Sequence, residues 1–532
     1  MPVSLTRRGF LTASGAAVLA GVAACSTDGG SPGPSGNGSA APAATLPSYI
    51  PYAGVSPDVE GTADGVMPVF YQFPRDPSPA VSITPGAGAE PIEFLTNLFT
   101  PAPPTAGSNS YWQLLNETIG TDVEVTMTPA GDYLAKLSTI VAGGQLPDAM
   151  LISARLANRS EVLTRLCADL TEHVAGDAVA DFPFLANLPT DAWERTRFGD
   201  GIFGVPIPRS VMGTIMFTRE DLITERGLNA APASYDEFVE LAEGLTDAAA
   251  NRWAFGNPKG IITFIGNMLG VPNVWREEGG GLRHEIEFEE RKEAVARTAE
   301  LVQAGLFHPD AVGGSLQLRD LFGAGTISIT SDGYAAWDIL ASTYGVPIGA
   351  LPAFGADGGP GTHRAGGAAF AITALKDADP ERVRQVLAVL DWMSAPMGTQ
   401  EYMLRKFGVE GEHFEWEDDA PVRTPLGETE VKVPLEYIAE APPVLGPGPR
   451  ERLDAQRAYQ ETVAPTILRD PTNALASDAA VNLEGELSRI IETAELDIVS
   501  GRKTIESWDD AVEQWRTAGG DQIRAEYEAQ LG

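Results

Sequence analysis

The strongest constraint on the fold of this chain is an alternation of apolar segments with two different periods between residues 92 and 152. Ile92–Thr96 and Pro147–Ile152 are largely apolar runs that suit buried strands, and apolar residues alternate along Val123–Met127 as in a half-buried strand. The segments between them repeat apolar residues at helical spacing and end at Gly120 and at Gly143–Gly144. This β-α-β-α-β order predicts a mostly parallel sheet covered by helices.

The same alternation returns in the second half of the chain. Ser234 and Glu237 have the spacing of a capping box ahead of an apolar helical stripe. Thr326–Thr330 has the pattern of a strand, and Asp379-Pro380 has the pattern of a helix start. A chain of 532 residues is too long for a single core, so we expect at least two α/β lobes.

The N-terminal segment has the pattern of an export signal. Arg7 and Arg8 precede an uncharged run of small residues that ends at Cys25. This pattern indicates a twin-arginine signal peptide over 1–24 and a lipidated cysteine at position 25. The Pro-, Gly- and Ser-rich segment 25–88 is interpreted as a flexible tether that continues into an extended segment. We therefore expect a lipid-anchored protein on the extracytoplasmic face of the cell membrane.

Charge and cysteine content limit the possible functions. The formal net charge of −36 argues against nucleic-acid binding, because phosphate backbones are held by clustered Lys and Arg. Cys167 is the one cysteine besides Cys25, so no intramolecular disulfide is expected once Cys25 is acylated. Its apolar helical surroundings favour a buried structural thiol over a nucleophile. The histidines are scattered without metal-ligand spacing, and we expect no cofactor.

The order of five sequence motifs resembles that of the extracellular solute-binding proteins of sugar ABC importers, the maltodextrin-binding type. The last of the five, with the pattern Gly-x-x-Gly-x-His, resembles the longer, oligosaccharide-binding branch. The motifs are Tyr133–Asp148, Asp200–Pro206, Phe217–Leu222, Leu321–Trp337 and Gly408–Phe414.

The resemblance implies an α/β, two-lobed fold of the periplasmic-binding-protein type (type II), with the ligand cleft between the lobes. Lobe 1 would consist of 89–208 plus about 364–405, and lobe 2 of 209–363 plus most of 406–532. Some longer relatives hold a structural calcium ion, but no Asp-x-Asp-x-Asp-Gly loop occurs in this chain.

The function implied is that of a monomeric, non-catalytic receptor. It would capture a carbohydrate, an oligosaccharide by the length of the chain, and deliver it to ABC permease subunits in the membrane. Two alternatives remain open from the residues alone. One is a lipoprotein glycoside hydrolase with a pair of carboxylates, and the other is a surface carbohydrate-binding or adhesion module.

Four polar residues are candidates for ligand contact. The resemblance places Arg155 just after a strand of lobe 1, where it would contact ligand or form a surface ion pair. Arg209 and Ser210 fall at the predicted crossing between the lobes, where a charge must be hydrated or paired. Asp332 would either accept sugar hydroxyls or cap the following turn.

Five aromatic residues are also candidates, because flat rings suit the apolar faces of sugars. Tyr334 and Trp337 fall in the aromatic-rich loop that the family places after a strand. Phe264 and Trp275 fall where the second lobe of the family supplies aromatic platforms. Trp112 follows the loop of the first strand, although its position on an apolar helix makes core packing an equal alternative.

Overall fold

The computed structural model of the protein describes residues 44–62, 64–79, 84–156, 158–313, 316–356, 358–473, 475 and 477–531. All of them belong to one compact unit, Ala43–Gly532. The predicted signal peptide, the lipidation site at Cys25 and the first part of the tether lie outside the described residues. No helix in the described part of the chain combines the length and the hydropathy needed to cross a bilayer.

The strands lie in two main sheets and several two-stranded ribbons. They are β1 Ile92–Leu98, β2 Val123–Pro129, β3 Ala149–Ile152, β4 Arg197–Phe198, β5 Gly201–Ile202, β6 Val205–Pro208, β7 Thr214–Arg219, β8 Trp253–Phe255, β9 Trp275–Glu278, β10 Gly281–His284, β11 Ile327–Gly333, β12 Ile348–Leu351, β13 His363–Arg364, β14 Ala369–Leu375, β15 Phe414–Glu417, β16 Ala420–Arg423 and β17 Ile467–Leu468.

The helices flank both main sheets and dominate the C-terminal region. They are α1 Ser110–Ile119, α2 Tyr133–Gly143, α3 Arg159–Leu166, α4 Thr171–Val174, α5 Thr190–Trp193, α6 Glu220–Glu225, α7 Tyr235–Leu245, α8 Pro258–Leu269, α9 Glu289–Gln303, α10 Leu318–Gly323, α11 Ala336–Tyr344, α12 Pro380–Met393, α13 Gln400–Phe407, α14 Gly427–Glu430, α15 Arg450–Val463, α16 Asp478–Val499, α17 Ser507–Trp515 and α18 Asp521–Leu531.

The first main sheet confirms the β-α-β-α-β prediction. Its strand order is β2-β1-β3-β14-β6. Strand β1 pairs in parallel with β2 and β3, whereas β14 runs antiparallel to both β3 and β6. Phe94 on β1 and Leu387 on α12 belong to the core that the helices form against this sheet. The carboxyl ends of β1, β2, β3 and β6 therefore share one edge with the amino end of β14.

The second main sheet has the order β12-β7-β11-β8. Strand β11 is parallel to β8 and antiparallel to β7, which in turn is antiparallel to β12. Phe238, Ile265 and Val295, on α7, α8 and α9, form its core together with Phe255 of β8. The carboxyl ends of β8, β11 and β12 share one edge with the amino end of β7.

Local signals explain where the helices begin. Helix α7 starts after Ser234, whose hydroxyl accepts the backbone N–H of Glu237 at 3.2 Å. The carboxylate of Glu237 accepts the N–H of Ala233 at 2.9 Å, so half of the predicted capping box is formed. Helix α12 starts after Asp379, whose carboxylate accepts the N–H of Arg382. These caps satisfy backbone donors that the first helical turn leaves free.

Two crossing segments connect the sheets side by side. Residues 209–213 lead from β6 to β7, and residues 365–368 lead into β14. The N–H of Arg209 donates to the carbonyl of Ala368, and the N–H of Gly366 donates to the carbonyl of Val211, both at 2.8 Å. Gly213 has a φ of +60°, and a Cβ on Gly366 would lie 2.5 Å from its Cα. The close approach therefore requires glycine.

The N-terminal strap, defined here as residues 44–79, follows the body as irregular chain with isolated bridges. It pairs at Pro47 with Gly176 and at Ser78 with Thr399. Val69 is 0% exposed and belongs to the core that surrounds the crossing segments. The strap, which follows the tether in sequence, is thus an integral part of the folded body.

One part of the C-terminal region packs against the first sheet. Val431, Leu435 and Ile438 belong to the core of that sheet, and the prediction placed most, but not all, of 406–532 in lobe 2. Sequence periodicity identifies which residues are apolar but not which of two cores receives them. The exact lobe boundaries stay a prediction.

Cys167 is a buried free thiol, as predicted. Burial, together with the charge of Asp377, raises the pKa of this thiol to about 12. A thiol held neutral in this way is not nucleophilic at neutral pH.

Candidate functional site

The strand-end edges of the two sheets meet around two adjoining cavities. Cavity A, of about 520 Å³, is lined by residues at the ends of the second sheet, among them Thr214, Ser331 and Ala353. Cavity B, of about 460 Å³, is lined by Ala154 from the first-sheet side and by Trp275 from the second-sheet side. Crevices outside the carboxyl ends of strands are the usual ligand sites of open α/β sheets.

Cavity A is polar without being acidic. Seven of its lining residues carry amide or hydroxyl side chains, and none of the lining residues is Asp or Glu. The seven are Thr214, Asn257, Thr263, Asn267, Asn273, Ser331 and Tyr459. Phe264 adds an aromatic ring to the same wall. Amides and hydroxyls can both donate and accept, so this lining is suited to a ligand rich in hydroxyl groups.

Asn267 has an unused acceptor in cavity A. Its side chain is 7% exposed, and its Oδ1 has no hydrogen-bond partner among the described residues. Its backbone carbonyl is occupied by the N–H and the hydroxyl of Thr362, at 3.0 and 2.9 Å. A buried acceptor without a partner is costly, and a ligand hydroxyl would remove that cost.

Cavities A and B adjoin at Lys259 and Arg195. Lys259 lines both cavities. Arg195 lines cavity B, and its Nη2 lies 3.0 Å from the position of a Cβ on Gly367, which lines cavity A. The two cavities are therefore neighbouring parts of one cleft.

A buried ion network forms the second-sheet wall of cavity B. The Glu285 carboxylate lies 2.6 Å from Arg364 and 3.8 Å from Arg291, which also pairs with Glu495 at 2.5 Å. Burial opposes ionisation of Glu285, but the two arginines outweigh it and lower its pKa to about 2. Burial lowers the pKa of the adjacent His284 to about 4. These charges satisfy one another and fix the wall.

An exposed aromatic platform lies at the same edge of the first sheet. Phe99, directly after β1, is 56% exposed, and Phe370, near the start of β14, is 39% exposed. The two ring centroids are 6.2 Å apart, and that of Tyr437 lies 5.0 and 5.4 Å from them. The guanidinium of Arg209 lies 5.1 Å from the Phe370 centroid. Sequence analysis missed these three rings, although the place of Phe99 at a strand end was a usable signal.

The polar residues predicted as ligand contacts have different surroundings. Arg209 borders the aromatic platform, and Ser210 lies in the crossing segment, where its hydroxyl accepts the N–H of Met212. Arg155 is exposed and follows Ala154 of cavity B. Asp332 accepts hydrogen bonds from Nε and Nη2 of Arg319, at 2.7 and 3.1 Å, so its carboxylate is already engaged.

The aromatic residues predicted as contacts divide into two groups. Phe264 lines cavity A and Trp275 lines cavity B, although each is 4% exposed and belongs to the core of the second sheet. Tyr334, Trp337 and Trp112 are at most 6% exposed, lie in hydrophobic cores and line neither cavity.

Helix packing explains why Tyr334, Trp337 and Trp112 line neither cavity. Helix α11 follows β11 almost directly and turns Trp337 onto Phe217 at 5.7 Å, whereas the Tyr334 hydroxyl accepts an amide N–H of Gln460 at 2.6 Å. The indole of Trp112 donates to the carbonyl of Val123 at 2.9 Å. In this conformation, none of these three rings offers a face to a ligand.

No group of three or more His, Cys, Asp or Glu side chains among the described residues is placed to hold a metal ion. The described residues therefore offer no candidate site for the calcium ion that the resemblance associates with some longer relatives.

Comparison with known families gives one match that spans most of the body. Residues 113–409 match the family described as bacterial extracellular solute-binding protein. The matched range includes both crossing segments and the whole lining of cavity A except Tyr459. The part of cavity B formed by residues from Asp470 onwards lies outside it.

Individual relatives are distant but cover most of the chain. The polygalacturonan/rhamnogalacturonan-binding protein YtcQ of Bacillus subtilis is 23% identical over 77% of this chain and 85% of its own length. The lipoprotein LipO of the same organism is 22% identical over 81% of this chain and 90% of its own. The solved structure of a solute-binding protein from Bifidobacterium longum infantis, described as HMO-binding and ABC-transporter-associated, has a TM-score of 0.60 at 13% identity. It covers 83% of this chain and 98% of its own.

Proposed function

The chain belongs to the bacterial extracellular solute-binding proteins, and from this premise we propose that it captures a carbohydrate in its cleft for delivery to an ABC permease. The observation that carries the proposal is cavity A, which is lined by amides and hydroxyls, together with exposed rings at the strand-end edge of the first sheet, where Phe370 follows Gly367 of the cavity wall by three residues. YtcQ is named as a polygalacturonan/rhamnogalacturonan-binding protein, and the Bifidobacterium protein is described as ABC-transporter-associated.

The chemistry of a sugar matches both parts of the cleft. A pyranose has apolar C–H faces, which stack on exposed rings such as Phe99 and Phe370. Its hydroxyl groups both donate and accept, as do Asn267 and Ser331 of cavity A. Arg209, beside Phe370, adds donors at the boundary of the aromatic platform.

One cluster has the composition of a hydrolase site but is arranged as a structural cap. Ser110 Oγ lies 3.2 Å from His413 Nε2 and 2.7 Å from Glu430. The N–H of Val409 donates to Nδ1 of His413, so the ring proton sits on Nε2 and this nitrogen cannot take a proton from Ser110. His413 is 1% exposed, and Glu430 accepts the N–H of Tyr111 in the first turn of α1. The cluster supports the binding function over hydrolysis.

The cellular setting follows from the sequence and the relatives together. LipO is named as a lipoprotein. With the pattern around Cys25, this supports a diacyl anchor on the extracytoplasmic face of the membrane and permease subunits as partners. We propose that the receptor acts as a monomer and forms no product from its ligand.

Thermal unfolding with a panel of trisaccharides tests the proposal. The panel contains maltotriose, mannotriose, trigalacturonate and trimannuronate. At least one of them should raise the unfolding temperature, since a ligand that binds only the folded state stabilises it. Chromatography of the same mixtures should show the sugar unchanged.

Substitutions in the cleft connect the binding to the site. Phe370→Ala should lower the affinity for the stabilising sugar about tenfold, which corresponds to about 1.4 kcal/mol. Ile339→Ala is the matched control, because Ile339 is 49% exposed on α11 and lines neither cavity. The proposal fails if no sugar shifts the transition, if products appear, or if both variants bind like the unaltered protein.

A further inference from the structure

We propose that the cleft selects a saccharide that carries carboxylate groups, and that Arg159 and Arg195 receive the carboxylate in cavity B. This inference rests on the proposed function and specifies the chemical class of its ligand. Three observations support it. Arginines at one sheet edge have no carboxylate at ion-pair distance, two of these arginines are partly buried in a cavity wall, and the buried carboxylates around them are already engaged.

The first observation concerns four arginines at the strand-end edge of the first sheet. Arg155 and Arg159 follow β3, Arg195 lies ahead of β4, and Arg209 follows β6. None of the four lies within 4 Å of a carboxylate among the described residues. The chain has 73 acidic and 37 basic residues, so acidic partners are in excess. An edge with four such arginines is a local cationic surface on an acidic protein.

The second observation is that two of these arginines line a cavity and are partly buried. The guanidinium of Arg159 lies 4.9 Å from the ring centroid of Phe198. That of Arg195 donates to the carbonyl of Asn473 at 3.3 Å. Burial, and then the charge of Arg195, lower the pKa of Arg159, so the two cations repel each other. A carboxylate beside both would relieve the repulsion.

The third observation is that the nearby buried carboxylates are already engaged. Glu285 and Glu495 are paired with Arg364 and Arg291 in the ion network. Asp470 accepts the N–H and the hydroxyl of Thr472, at 2.9 and 2.8 Å, and its charge, like that of Glu194, acts on Arg195 from beyond ion-pair distance.

The remaining acidic side chains of cavity B lie on α16 and face water. Asp478 and Glu484 are exposed, and Glu492 pairs with Lys259 at 2.6 Å. No carboxylate of the cavity wall among the described residues neutralises Arg159 and Arg195 at ion-pair distance, and this leaves their guanidinium groups available to a ligand.

The geometry of guanidinium fits a carboxylated sugar. The planar fork of an arginine can donate two parallel hydrogen bonds to one carboxylate, and such bonds are about twice as strong as neutral ones. The adjoining cavity A would hold the hydroxyls and ring of the neighbouring sugar unit, because Arg195 and Lys259 lie at the boundary between the cavities. A saccharide spanning both cavities thus places its carboxylate at the cationic edge.

Matched ligands test the charge requirement directly. Trigalacturonate and its fully methyl-esterified form have the same rings and linkages, but the ester carries no charge. Calorimetry should show at least tenfold tighter binding of an acidic trisaccharide than of its ester, with trimannuronate and its ester as a second pair. Raising the salt concentration should weaken the binding of the acid and leave that of the ester unchanged.

Substitutions test the two arginines. Arg159→Gln and Arg195→Gln should each lower the affinity for the acidic trisaccharide at least tenfold and reduce its salt dependence. Arg159→Lys, which retains the charge but not the fork, should retain part of the affinity. Arg252→Gln is the control, because Arg252 precedes the amino end of β8, at the opposite edge of its sheet. Circular dichroism confirms that each variant is folded.

The outcomes separate this inference from the proposed function. Equal binding of acid and ester, or binding of neutral sugars alone, overturns the inference and leaves a carbohydrate receptor without a charge requirement. Unchanged binding in both glutamine variants overturns the assignment of the carboxylate to Arg159 and Arg195. If no acidic or neutral trisaccharide binds, both this inference and the proposed function are overturned.

Discussion

Asp391 is a buried carboxylate that joins a helix to an irregular segment. It lies on α12, is 5% exposed, and its Oδ1 accepts the N–H groups of Phe184 and Leu185 at 2.8 and 2.9 Å. Burial raises the pKa of Asp391 to about 7, although the two hydrogen bonds act in the opposite direction. The folded protein therefore retains a proton on this group that the unfolded chain releases near pH 4.

Asp391→Asn should become progressively more stabilising, relative to the unaltered protein, as the pH rises from about 4 to about 7. A carboxyl whose pKa is raised on folding loses its contribution to stability over that window, because the unfolded state ionises first. Asparagine keeps an oxygen acceptor for both N–H groups and does not titrate.

Urea unfolding of both proteins at several pH values measures the difference. Since the acidic surface is common to the two proteins, its own pH dependence cancels in the comparison. A difference in unfolding free energy that stays constant, or that favours aspartate more strongly at pH 7, would contradict the assignment.

Residue-level sequence analysis predicted burial better than it predicted side-chain direction. Cys167 was predicted to be buried from its apolar helical surroundings, and it is 5% exposed. Trp337 was predicted to contact ligand, whereas it is 2% exposed, and Phe99 was not considered at all. Whether a ring at a strand end faces the cleft depends on the helix that follows it, and local periodicity does not contain that information.

At the scale of elements, the N-terminal strap is held by backbone hydrogen bonds to several parts of the body. The N–H of Phe70 donates to the carbonyl of Leu445 at 2.9 Å, and that of Met67 donates to the side chain of Gln460 at 2.8 Å. The amide of Gln460 in turn donates to Tyr334, just after β11. The strap is therefore connected to the strand that leads to the cleft.

Val69→Ala should lower the free energy of unfolding by about 1 to 3 kcal/mol, as expected for removing methyl groups from a fully buried site. Val69 is 0% exposed within the strap. Glu60→Ala is the control, because the Glu60 side chain is exposed and only its carbonyl accepts a hydrogen bond, from Arg457. Urea midpoints give the comparison, and equal midpoints for the two variants would show that the strap is peripheral.

The elements themselves were largely predictable, since strands and helices such as β1, α7 and α12 follow from local periodicity and caps. The cleft was less predictable from the sequence. Its walls combine Thr214 with Gly366 and Arg159 with Tyr527, pairs that are far apart in sequence. The strap illustrates the same limit, because its Pro- and Gly-rich composition indicated extended chain but not the core that Val69 enters.

For the whole molecule, we expect the two crossing segments to be the joint through which the sheets move relative to each other. Two-lobed binding proteins close around ligands by rotation at a few residues between the lobes. In this chain, Gly213 and Gly366 touch at that joint, and Tyr334 donates its N–H to the carbonyl of Gly213 at 2.7 Å. A change in the joint would therefore be transmitted to the loop that follows β11.

Gly366→Ala should weaken both the fold and ligand binding. The new Cβ would lie 2.5 Å from Gly213 Cα and 2.9 Å from its N, so the segments must separate and strain the hydrogen bond from Gly366 to Val211. Overpacking of this kind costs about 1 to 3 kcal/mol. Gly131→Ala is the control, because a Cβ there meets nothing within 4 Å. X-ray scattering with and without the stabilising sugar should show a smaller contraction for Gly366→Ala than for the control. Equal contraction and equal affinity in the two variants would place the moving joint elsewhere in the chain.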